Sequence, residues 1–271
     1  MKNIILFDMD GTLTEPRQQI EPETINEVLS ILEQGHHVGI VTGSPEDYIN
    51  QQIGDLIDLV VEVGHGSSFH ILPCNGTEYI FYNTTGTRNE IVPDNMELKL
   101  GTETFSELMA VLSNLQAEVA GDFWRKGLPL TGTFIQYRGS MINWCPIGRN
   151  AKNVQRAQFV EHDNETAFRN KYHNTLKEWV EWKKIPLTVA LGGSTSFDIY
   201  PTGWDKTYCL NWFGDFTCWF IGDKCKDGGN DQSIYDTLVK SGRAFETTGP
   251  EDTAAIIRGI LTTLSPDSSA G

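Results

Sequence analysis

The sequence predicts an α/β protein in which a parallel-sheet core is interrupted by a separate α+β unit. In the first third of the 271-residue chain, short apolar runs alternate with segments of helical periodicity, which is typical of parallel strands joined by crossover helices. The middle of the chain has longer, segregated helices and strands, and a core-type strand returns near the end. We therefore expect the core in 1–85 and 203–271, and the inserted unit in 86–202.

The elements of the first core segment follow from local patterns. Asn3 to Phe7 is a run of apolar, β-prone residues that ends abruptly in polar residues, which predicts a buried strand. Pro22 to Gln34 has apolar residues at helical spacing and is followed by Gly35, a frequent helix stop. The next predicted elements are a strand at His37 to Val41, a helix at Pro45 to Ile53, a strand at Leu59 to Val63 and a hairpin at Phe69 to Tyr82.

The remaining elements are predicted in the same way. In the inserted unit we expect helices at Glu103 to Leu115 and Phe168 to Trp182, and strands at Thr133 to Tyr137 and Leu187 to Leu191. The core resumes with a strand at Cys218 to Ile221 and closes with a helix at Pro250 to Leu264.

The charge is strongly negative but unevenly distributed. The chain has 21 Lys+Arg and 36 Asp+Glu, a net charge of −15, which disfavours nucleic acid and anionic membrane as partners. Residues 86–202 hold 13 basic and 13 acidic residues, so the flanking segments carry the whole excess. Within this neutral middle, 123–160 contains six basic residues and no acid. This window is either a solvated basic face or dimer surface, or a binding site for a small anion.

The sequence predicts a cytoplasmic location. Only four consecutive apolar residues, Ile4 to Phe7, precede Asp8, too few for a signal peptide or a membrane span. The five cysteines include no C-x-x-C pair and are odd in number, which fits neither a disulfide framework nor a zinc knuckle.

Two carboxylates follow the first predicted strand. Asp8 and Asp10 are two residues apart, so on an extended segment both side chains would point to one side. Carboxylates held so close repel each other unless a cation lies between them, and a hard divalent ion is the usual solution. We expect this ion to be Mg²⁺.

The string Asp8-Met9-Asp10-Gly11-Thr12-Leu13-Thr14, together with Lys206 and with Asp223 at another strand end, resembles the haloacid dehalogenase superfamily of phosphoryl-transfer enzymes. The resemblance implies a Rossmann-like parallel-sheet core with an inserted cap. It implies that Asp8 is the nucleophile, that Asp10 is the general acid and base, and that Asp8, Asp10 and Asp223 bind the metal. Lys206 and either Thr42 or Ser44 would contact the phosphoryl oxygens.

More distant strings narrow the resemblance to the eukaryotic-type phosphomannomutases. They occur in order at spacings similar to those of the family: Gly132-Thr133-Phe134-Ile135, Pro146-Ile147-Gly148-Arg149, Ser196-Phe197-Asp198, Gly203-Trp204-Asp205-Lys206, Gly222-Asp223-Lys224 and Gly228-Gly229-Asn230-Asp231. The phosphate- and sugar-binding positions of the family fall on Arg17, Arg138, Arg149, Arg156, Ser196 and Asp198. Three of these arginines lie in the acid-free window, which supports its interpretation as a phosphate site.

The resemblance implies a reaction, cofactors and partners. Mannose 6-phosphate and mannose 1-phosphate would be interconverted through a phosphoaspartate on Asp8 and a hexose bisphosphate intermediate, which feeds GDP-mannose synthesis. The cofactors would be Mg²⁺ and a hexose 1,6-bisphosphate activator. The partners would be small sugar phosphates and a second copy of the chain, bound through the caps.

Two alternatives remain open. A sugar-phosphate phosphatase would use the same Asp8 and Asp10 with water as the acceptor, and a non-catalytic sugar-phosphate sensor would need neither carboxylate. One departure bears on sugar preference and on the balance of mutase and hydrolase activity: where the family has a Pro-Glu-Asn-Gly turn after the third core strand, the predicted strand order gives Val63-Gly64-His65-Gly66.

Overall fold

The structure, a computed structural model, describes residues 2–92, 95–226 and 228–265. These residues form two compact units. The core unit contains the described residues of 2–92, 206–226 and 231–265, and the inserted unit contains those of 95–205 and 228–230.

The elements alternate in the core unit and segregate in the inserted unit. The strands are β1 Lys2–Phe7, β2 His37–Val41, β3 Phe69–Leu72, β4 Tyr79–Tyr82, β5 Arg88–Ile91, β6 Ile135–Tyr137, β7 Ile142–Trp144, β8 Leu187–Gly192, β9 Ser196–Pro201, β10 Phe216–Gly222 and β11 Ala244–Glu246. The helices are α1 Pro22–Glu33, α2 Glu46–Glu62, α3 Met96–Leu100, α4 Thr102–Lys126, α5 Asn153–Thr166, α6 Phe168–Lys183, α7 Gln232–Leu238 and α8 Pro250–Leu264.

The core unit is built on a seven-stranded sheet of order β11-β10-β1-β2-β3-β4-β5. The first five strands of this order are parallel, and β4 and β5 are antiparallel additions at one edge. The central strand β1 is buried on both faces: Ile5 and Phe7 pack with residues of α1, α2 and α8, whereas Ile4 and Leu6 pack with α7 and the 3-10 segment Lys206–Phe213. The predicted α/β class with a mostly parallel sheet is confirmed.

One predicted strand is wrong. The segment Leu59 to Val63 belongs almost entirely to α2, which extends nine residues beyond the predicted helix end at Ile53. The β-branched content of the segment favoured a strand, but Ile53, Leu56 and Val60 continue the helical spacing and are all buried. The third parallel strand is instead β3, which was predicted as the first arm of a hairpin and does pair antiparallel with β4.

The inserted unit has its own antiparallel sheet, of order β6-β7-β9-β8. Its strands and helices include β7 and α5, which were not predicted from the sequence. Aromatic side chains fill its core: Trp144 stacks on Phe197 with ring centroids 4.8 Å apart, and Phe123 packs against Phe159 and Phe168.

Among the described residues, no helix is both long enough and apolar enough to span a membrane.

Candidate active site

The carboxyl ends of three adjacent parallel strands bring together the polar residues that follow them. Asp8 follows β1, Thr42 follows β2 and Asp223 follows β10. The backbone N–H of Asp8 donates to Ile221 O at 3.0 Å, so the chain stays paired with β10 through the first residue of the loop. This edge is where ligands bind in open α/β sheets, because loops diverge there around a crevice.

Lys206 forms a buried double ion pair at this edge. Its side chain is fully buried, and its Nζ donates to Asp8 Oδ1 and, at 2.5 Å, to Asp231 Oδ1. Burial acts to lower the pKa of this lysine, but the carboxylates of Asp231 and Asp8 outweigh it and raise the pKa above its usual value. Lys206 therefore stays charged between two buried carboxylates.

Three carboxylates lie close together around this lysine. One oxygen each of Asp8, Asp223 and Asp231 lies within 4.8 Å of the other two. Burial raises the pKa of Asp8 well above its usual value. The neighbouring Asp231 and Asp223 raise it further, and the Lys206 ammonium only partly opposes the rise. Lys206 contacts Asp8 and Asp231, and Lys224 Nζ contacts Asp223 Oδ2 at 2.7 Å, so two lysines face three carboxylates. The group offers the oxygen ligands that suit a hard divalent cation such as Mg²⁺.

Two glycines allow the carboxylates to approach the loops. A Cβ at Gly11, whose φ is +85°, would lie 2.6 Å from Asp223 Oδ2. A Cβ at Gly222 would lie 2.7 Å from Asp231 Oδ2. Any larger residue at either position would displace a carboxylate of the cluster.

The Asp10 side chain belongs to a different hydrogen-bonded group. Its Oδ1 accepts from the Arg17 backbone N–H at 2.8 Å, and among the described residues it is not one of the three clustered carboxylates. Asp8 and Asp10 would point to the same side only if the backbone were extended from one to the other. Instead, β1 ends at Phe7, and the chain forms a tight turn in which Met9 O accepts from the amides of Thr12, Leu13 and Thr14. The structure thus brings together Asp8 and Asp223 from the predicted metal set, and adds Asp231.

Thr42 and Ser44 lie in one short loop. Thr42 is buried, and its Oγ1 accepts from the Ser44 N–H at 3.1 Å. The Asn75 N–H donates to Thr42 O at 2.8 Å, and the Cys74 N–H donates to Ser44 O at 3.2 Å. The loop after β2 is therefore held by the turn after β3.

In the inserted unit, Asn143 connects three of the predicted substrate-binding residues. Its Nδ2 donates to Asp198 Oδ1 at 2.7 Å and to Ser196 Oγ at 3.0 Å, and its Oδ1 accepts from Arg149 Nη1 at 2.8 Å. Asn143 and Asp198 are cross-strand partners on β7 and β9. A Cβ at Gly192, on the neighbouring β8, would lie 2.7 Å from Asp198 Oδ2. This Asn143 cluster is a fixed polar group on one sheet.

The other predicted arginines have separate surroundings. Arg156 donates to Thr195 Oγ1 at 3.0 Å and to Ser194 Oγ at 3.1 Å, so it is held beside the turn that leads into β9. Arg138 is 8% exposed and donates to Gln136 Oε1. Arg17 lies in the core unit with φ +63°, and its backbone contacts Asp10.

The acid-free window contains two kinds of basic residue. Arg125 and Lys126 are exposed at the end of α4 and pair with Asp122. Arg149 and Arg156, in contrast, are half-buried and bonded to neutral side chains of the inserted unit. The exposed pair fits the interpretation as a solvated basic face, whereas Arg149 and Arg156 are packed within the inserted unit.

The fold is similar to that of solved haloacid dehalogenase-like structures. A haloacid dehalogenase-like hydrolase from Bacteroides thetaiotaomicron matches 96% of this chain and 100% of its own, with a TM-score of 0.52 at 15% identity. A Plasmodium falciparum IMP-nucleotidase matches 96% of this chain and 67% of its own, with a TM-score of 0.65 at 17% identity. At these identities the two structures show the shared fold alone.

The family follows from the sequence comparisons. The model of the eukaryotic phosphomannomutase family matches residues 25–263. A phosphomannomutase of Drosophila melanogaster is 35% identical over 263 residues, 95% of each chain, and one of Dendrobium officinale is 34% identical over 257 residues, 93% of this chain and 91% of the relative. The chain belongs to the eukaryotic phosphomannomutase family. These matches do not favour the phosphatase alternative.

The sequence comparison with the family turn Pro-Glu-Asn-Gly was made at the wrong segment of this chain. Val63 to Gly66 follows α2, whereas the turn after the third parallel strand is Pro73-Cys74-Asn75-Gly76. Compared with Pro-Glu-Asn-Gly, this turn differs only at Cys74. A Cβ at Gly76 would lie 2.6 Å from the Cys209 Cβ, which accounts for the glycine.

Asp231, in the carboxylate cluster, and Asn143, in the inserted unit, were not predicted as site residues. Asp231 is the last residue of the Gly228-Gly229-Asn230-Asp231 string, so a signal for it existed, but its distance from Lys206 along the chain hid their pairing. Asn143 had no signal beyond its position three residues before Pro146. Only the register of β7 with β9 shows that it faces Asp198.

Proposed function

We propose that the protein interconverts mannose 6-phosphate and mannose 1-phosphate, with Asp8 as the carrier of the phosphoryl group. Family membership supports the reaction, and the relatives that match over nearly their full length are named phosphomannomutases. Asp8 offers a carboxylate at a strand end beside Lys206, whose pKa is raised by the neighbouring carboxylates, and this pair suits phosphoryl transfer.

In the proposed reaction a phosphoryl group passes through Asp8. Asp8 starts phosphorylated by a hexose 1,6-bisphosphate. A hydroxyl of the monosaccharide phosphate attacks phosphorus; the new P–O bond to sugar forms as the P–O bond to Asp8 breaks, and Asp10 accepts the hydroxyl proton. The bisphosphate then turns around, its other phosphoryl group moves to Asp8, and Asp10 returns the proton to the departing sugar oxygen. No phosphate or proton is lost over the cycle.

The other residues of the core unit stabilise charge during transfer. Lys206 and the hydroxyl of Thr42, or that of Ser44, would donate to the phosphoryl oxygens. Mg²⁺ would be held by Asp8 and Asp223, with Asp231 close by, and when bound it would neutralise negative charge on the phosphoryl group. Asp10 would contribute as general acid and base through the carboxylate oxygen that Arg17 does not bind.

The observation that carries the mutase proposal is the Asn143 cluster of the inserted unit. A mutase must hold the resident phosphate of its substrate while the opposite end reacts, whereas a monophosphate phosphatase needs no second phosphate site. Arg149, fixed by Asn143 beside Ser196 and Asp198, offers a charged donor next to sugar-binding groups. We assign the resident phosphate to Arg149, with Arg138 and Arg156, and the sugar hydroxyls to Ser196 and Asp198. Arg17, in the core unit, would also contact the sugar phosphate.

The finer parts of the function are also proposals. We propose that the inserted unit, 86–202 by sequence, acts as a cap that excludes water, since water would hydrolyse the phosphoaspartate. The protein would work in the cytoplasm as a homodimer joined through its caps and would supply mannose 1-phosphate for GDP-mannose synthesis.

One assay tests the reaction. The enzyme is incubated with Mg²⁺, glucose 1,6-bisphosphate and mannose 1-phosphate, and mannose 6-phosphate and free phosphate are measured in parallel. We expect mannose 6-phosphate to accumulate with little free phosphate, and we expect removal of the metal with EDTA to stop turnover until Mg²⁺ is added back. Release of phosphate without isomerisation would instead assign the phosphatase reaction.

The Arg149→Ala variant tests the distal phosphate site. A hydrogen bond to a charged group contributes about 1.5–3 kcal/mol, so we expect the kcat/KM for mannose 1-phosphate to fall by about 10- to 100-fold. Hydrolysis of 4-nitrophenyl phosphate, which has no second phosphate, should change by less than about twofold. Arg125→Ala, at an exposed position of the same acid-free window, is the control. Equal losses on both substrates would remove the distal role of Arg149.

A further inference from the structure

Gln52 is a buried polar residue of the core unit that contacts the loop from Asp10 to Ile20. It lies on α2 and is 5% exposed. The helix is interrupted next to it, because Ile53 has φ −123° and ψ 17°. Such an interruption frees main-chain groups from the regular helical pattern, and the Gln52 carbonyl accepts from the Ile20 N–H at 2.8 Å.

The side-chain amide of Gln52 faces three acceptors. The atoms near one end of the amide are Thr14 Oγ1 at 3.0 Å, Asp10 Oδ1 at 3.1 Å and Gln18 O at 3.3 Å. The Thr14 hydroxyl gives its own proton to Met9 O, so it accepts from Gln52. The hydrogen-bond network therefore assigns the amide nitrogen to this end.

These contacts hold the loop from Asp10 to Ile20 at both ends. The side chain of Gln52 binds Asp10 and Thr14 near the start of the loop, and its carbonyl binds Ile20 at the end. In this loop Arg17 has φ +63° and donates its N–H to the same Asp10 oxygen that Gln52 contacts. Among the described residues, both hydrogen bonds to the Asp10 carboxylate fall on Oδ1, which leaves Oδ2 to exchange a proton.

We propose that Gln52 is a positioning residue for phosphoryl transfer: its amide fixes the Asp10 carboxylate so that Oδ2 alone meets the sugar hydroxyl. The inference rests on the proposed function, and it adds a role for a helix residue 42 positions along the chain from Asp10. A carboxylate that rotates freely presents either oxygen, whereas one that is bonded twice through Oδ1 keeps a single orientation. General acid–base catalysis depends on this orientation because the proton must move along a short, aligned hydrogen bond.

The test compares two leaving groups in the Gln52→Met variant. Methionine keeps the length of the side chain and removes its donor. A sugar oxygen must be protonated as it leaves, whereas 4-nitrophenolate leaves unprotonated. We therefore expect kcat for mannose 1-phosphate to fall by about 10- to 100-fold with less than about a threefold change in KM. The burst of 4-nitrophenol that accompanies the first phosphorylation of Asp8 should change by less than about threefold.

Two controls separate positioning from folding. Gln51→Met alters the neighbouring residue, which is exposed on the same helix, and should match the wild type in every assay. In the Asp10→Asn background, Gln52→Met should cause no further loss, because a residue that acts through Asp10 has nothing left to position. Thermal unfolding of each variant is measured alongside.

Each outcome decides the proposal. A loss on the sugar phosphate together with an unchanged burst and no additional loss in the double variant supports it. Parallel loss of isomerisation and burst, or an unchanged kcat in Gln52→Met, would overturn it. Wild-type enzyme that shows no isomerisation would instead reject the proposed function, so the two failures are distinguishable.

Discussion

The Asp8→Asn variant is expected to lose essentially all phosphoryl transfer, with kcat reduced by more than about 10⁴-fold. The amide keeps the shape of the side chain but provides no carboxylate oxygen to accept the phosphoryl group. Incubation with glucose 1,6-bisphosphate should add the mass of one phosphoryl group to the wild-type protein and none to the variant. Intact-protein mass spectrometry under acidic conditions, where acyl phosphates survive, measures this difference.

The same substitution should not destabilise the fold. Burial and two neighbouring carboxylates raise the pKa of Asp8, so its negative charge is unfavourable in the folded state. Removing that charge leaves Lys206 paired with Asp231. We expect the melting temperature of Asp8→Asn in the absence of metal to equal or exceed that of the wild type, as measured by calorimetry.

The control for Asp8→Asn is Asp58→Asn, at an exposed position of α2. It should leave both turnover and melting temperature unchanged. Robust isomerisation by Asp8→Asn would contradict the covalent mechanism. A large drop in melting temperature would instead show that the Asp8 charge supports the fold.

The core of the fold could be predicted because its signals are local. The stretch from Ile4 to Phe7 is apolar throughout because β1 is buried there on both faces, and the residues after it change abruptly to a polar loop. The failure at Leu59 to Val63 arose where two local signals conflict. Its β-branched residues favour a strand, but burial of Leu56 and Val60 on one helix face decides the outcome.

The candidate site could be predicted only in part, because some of its contacts depend on packing between distant segments. Lys206 and Asp8 are 198 residues apart along the chain and share one ion pair. Asn143 meets Asp198 through strand register, and Gln52 meets Asp10 through an interruption in a helix. Register and helix breaks are tertiary properties. A motif search therefore finds Asp10 and Arg149 but misses Gln52 and Asn143, which contact them.

Asp10 has surroundings that its spacing from Asp8 does not predict. Its spacing from Asp8 suggested two carboxylates on one ion, but Gly11 adopts φ +85° and the chain turns before a second strand residue can form. The clustered oxygens come instead from Asp8, Asp223 and Asp231. The turn thereby gives the two aspartates of the motif different surroundings, which suits the separate roles of nucleophile and acid–base group that we propose for them.

The Lys206→Met variant is expected to lose both stability and activity. Lys206 is fully buried, and its ammonium contacts two buried carboxylates. Removal of one partner from a buried ion pair leaves uncompensated charge and typically costs about 3–5 kcal/mol. We expect a loss of this size in the free energy of unfolding, and kcat reduced by at least about 100-fold, because the phosphoryl oxygens lose their charged donor. Lys240→Met, at an exposed position, should match the wild type in both measurements.

A second substitution separates the two roles of Lys206. In Lys206→Met with Asp231→Asn, one of the two unbalanced carboxylates is neutralised, so part of the lost stability should return, by at least about 1 kcal/mol. Activity should not return, since a neutral amide cannot replace the ammonium beside Asp8. Denaturant unfolding and the isomerisation assay measure the two quantities independently. Recovery of both together would mean that Lys206 acts on catalysis only through the fold, and recovery of neither would mean that the buried charges are not what destabilises the single variant.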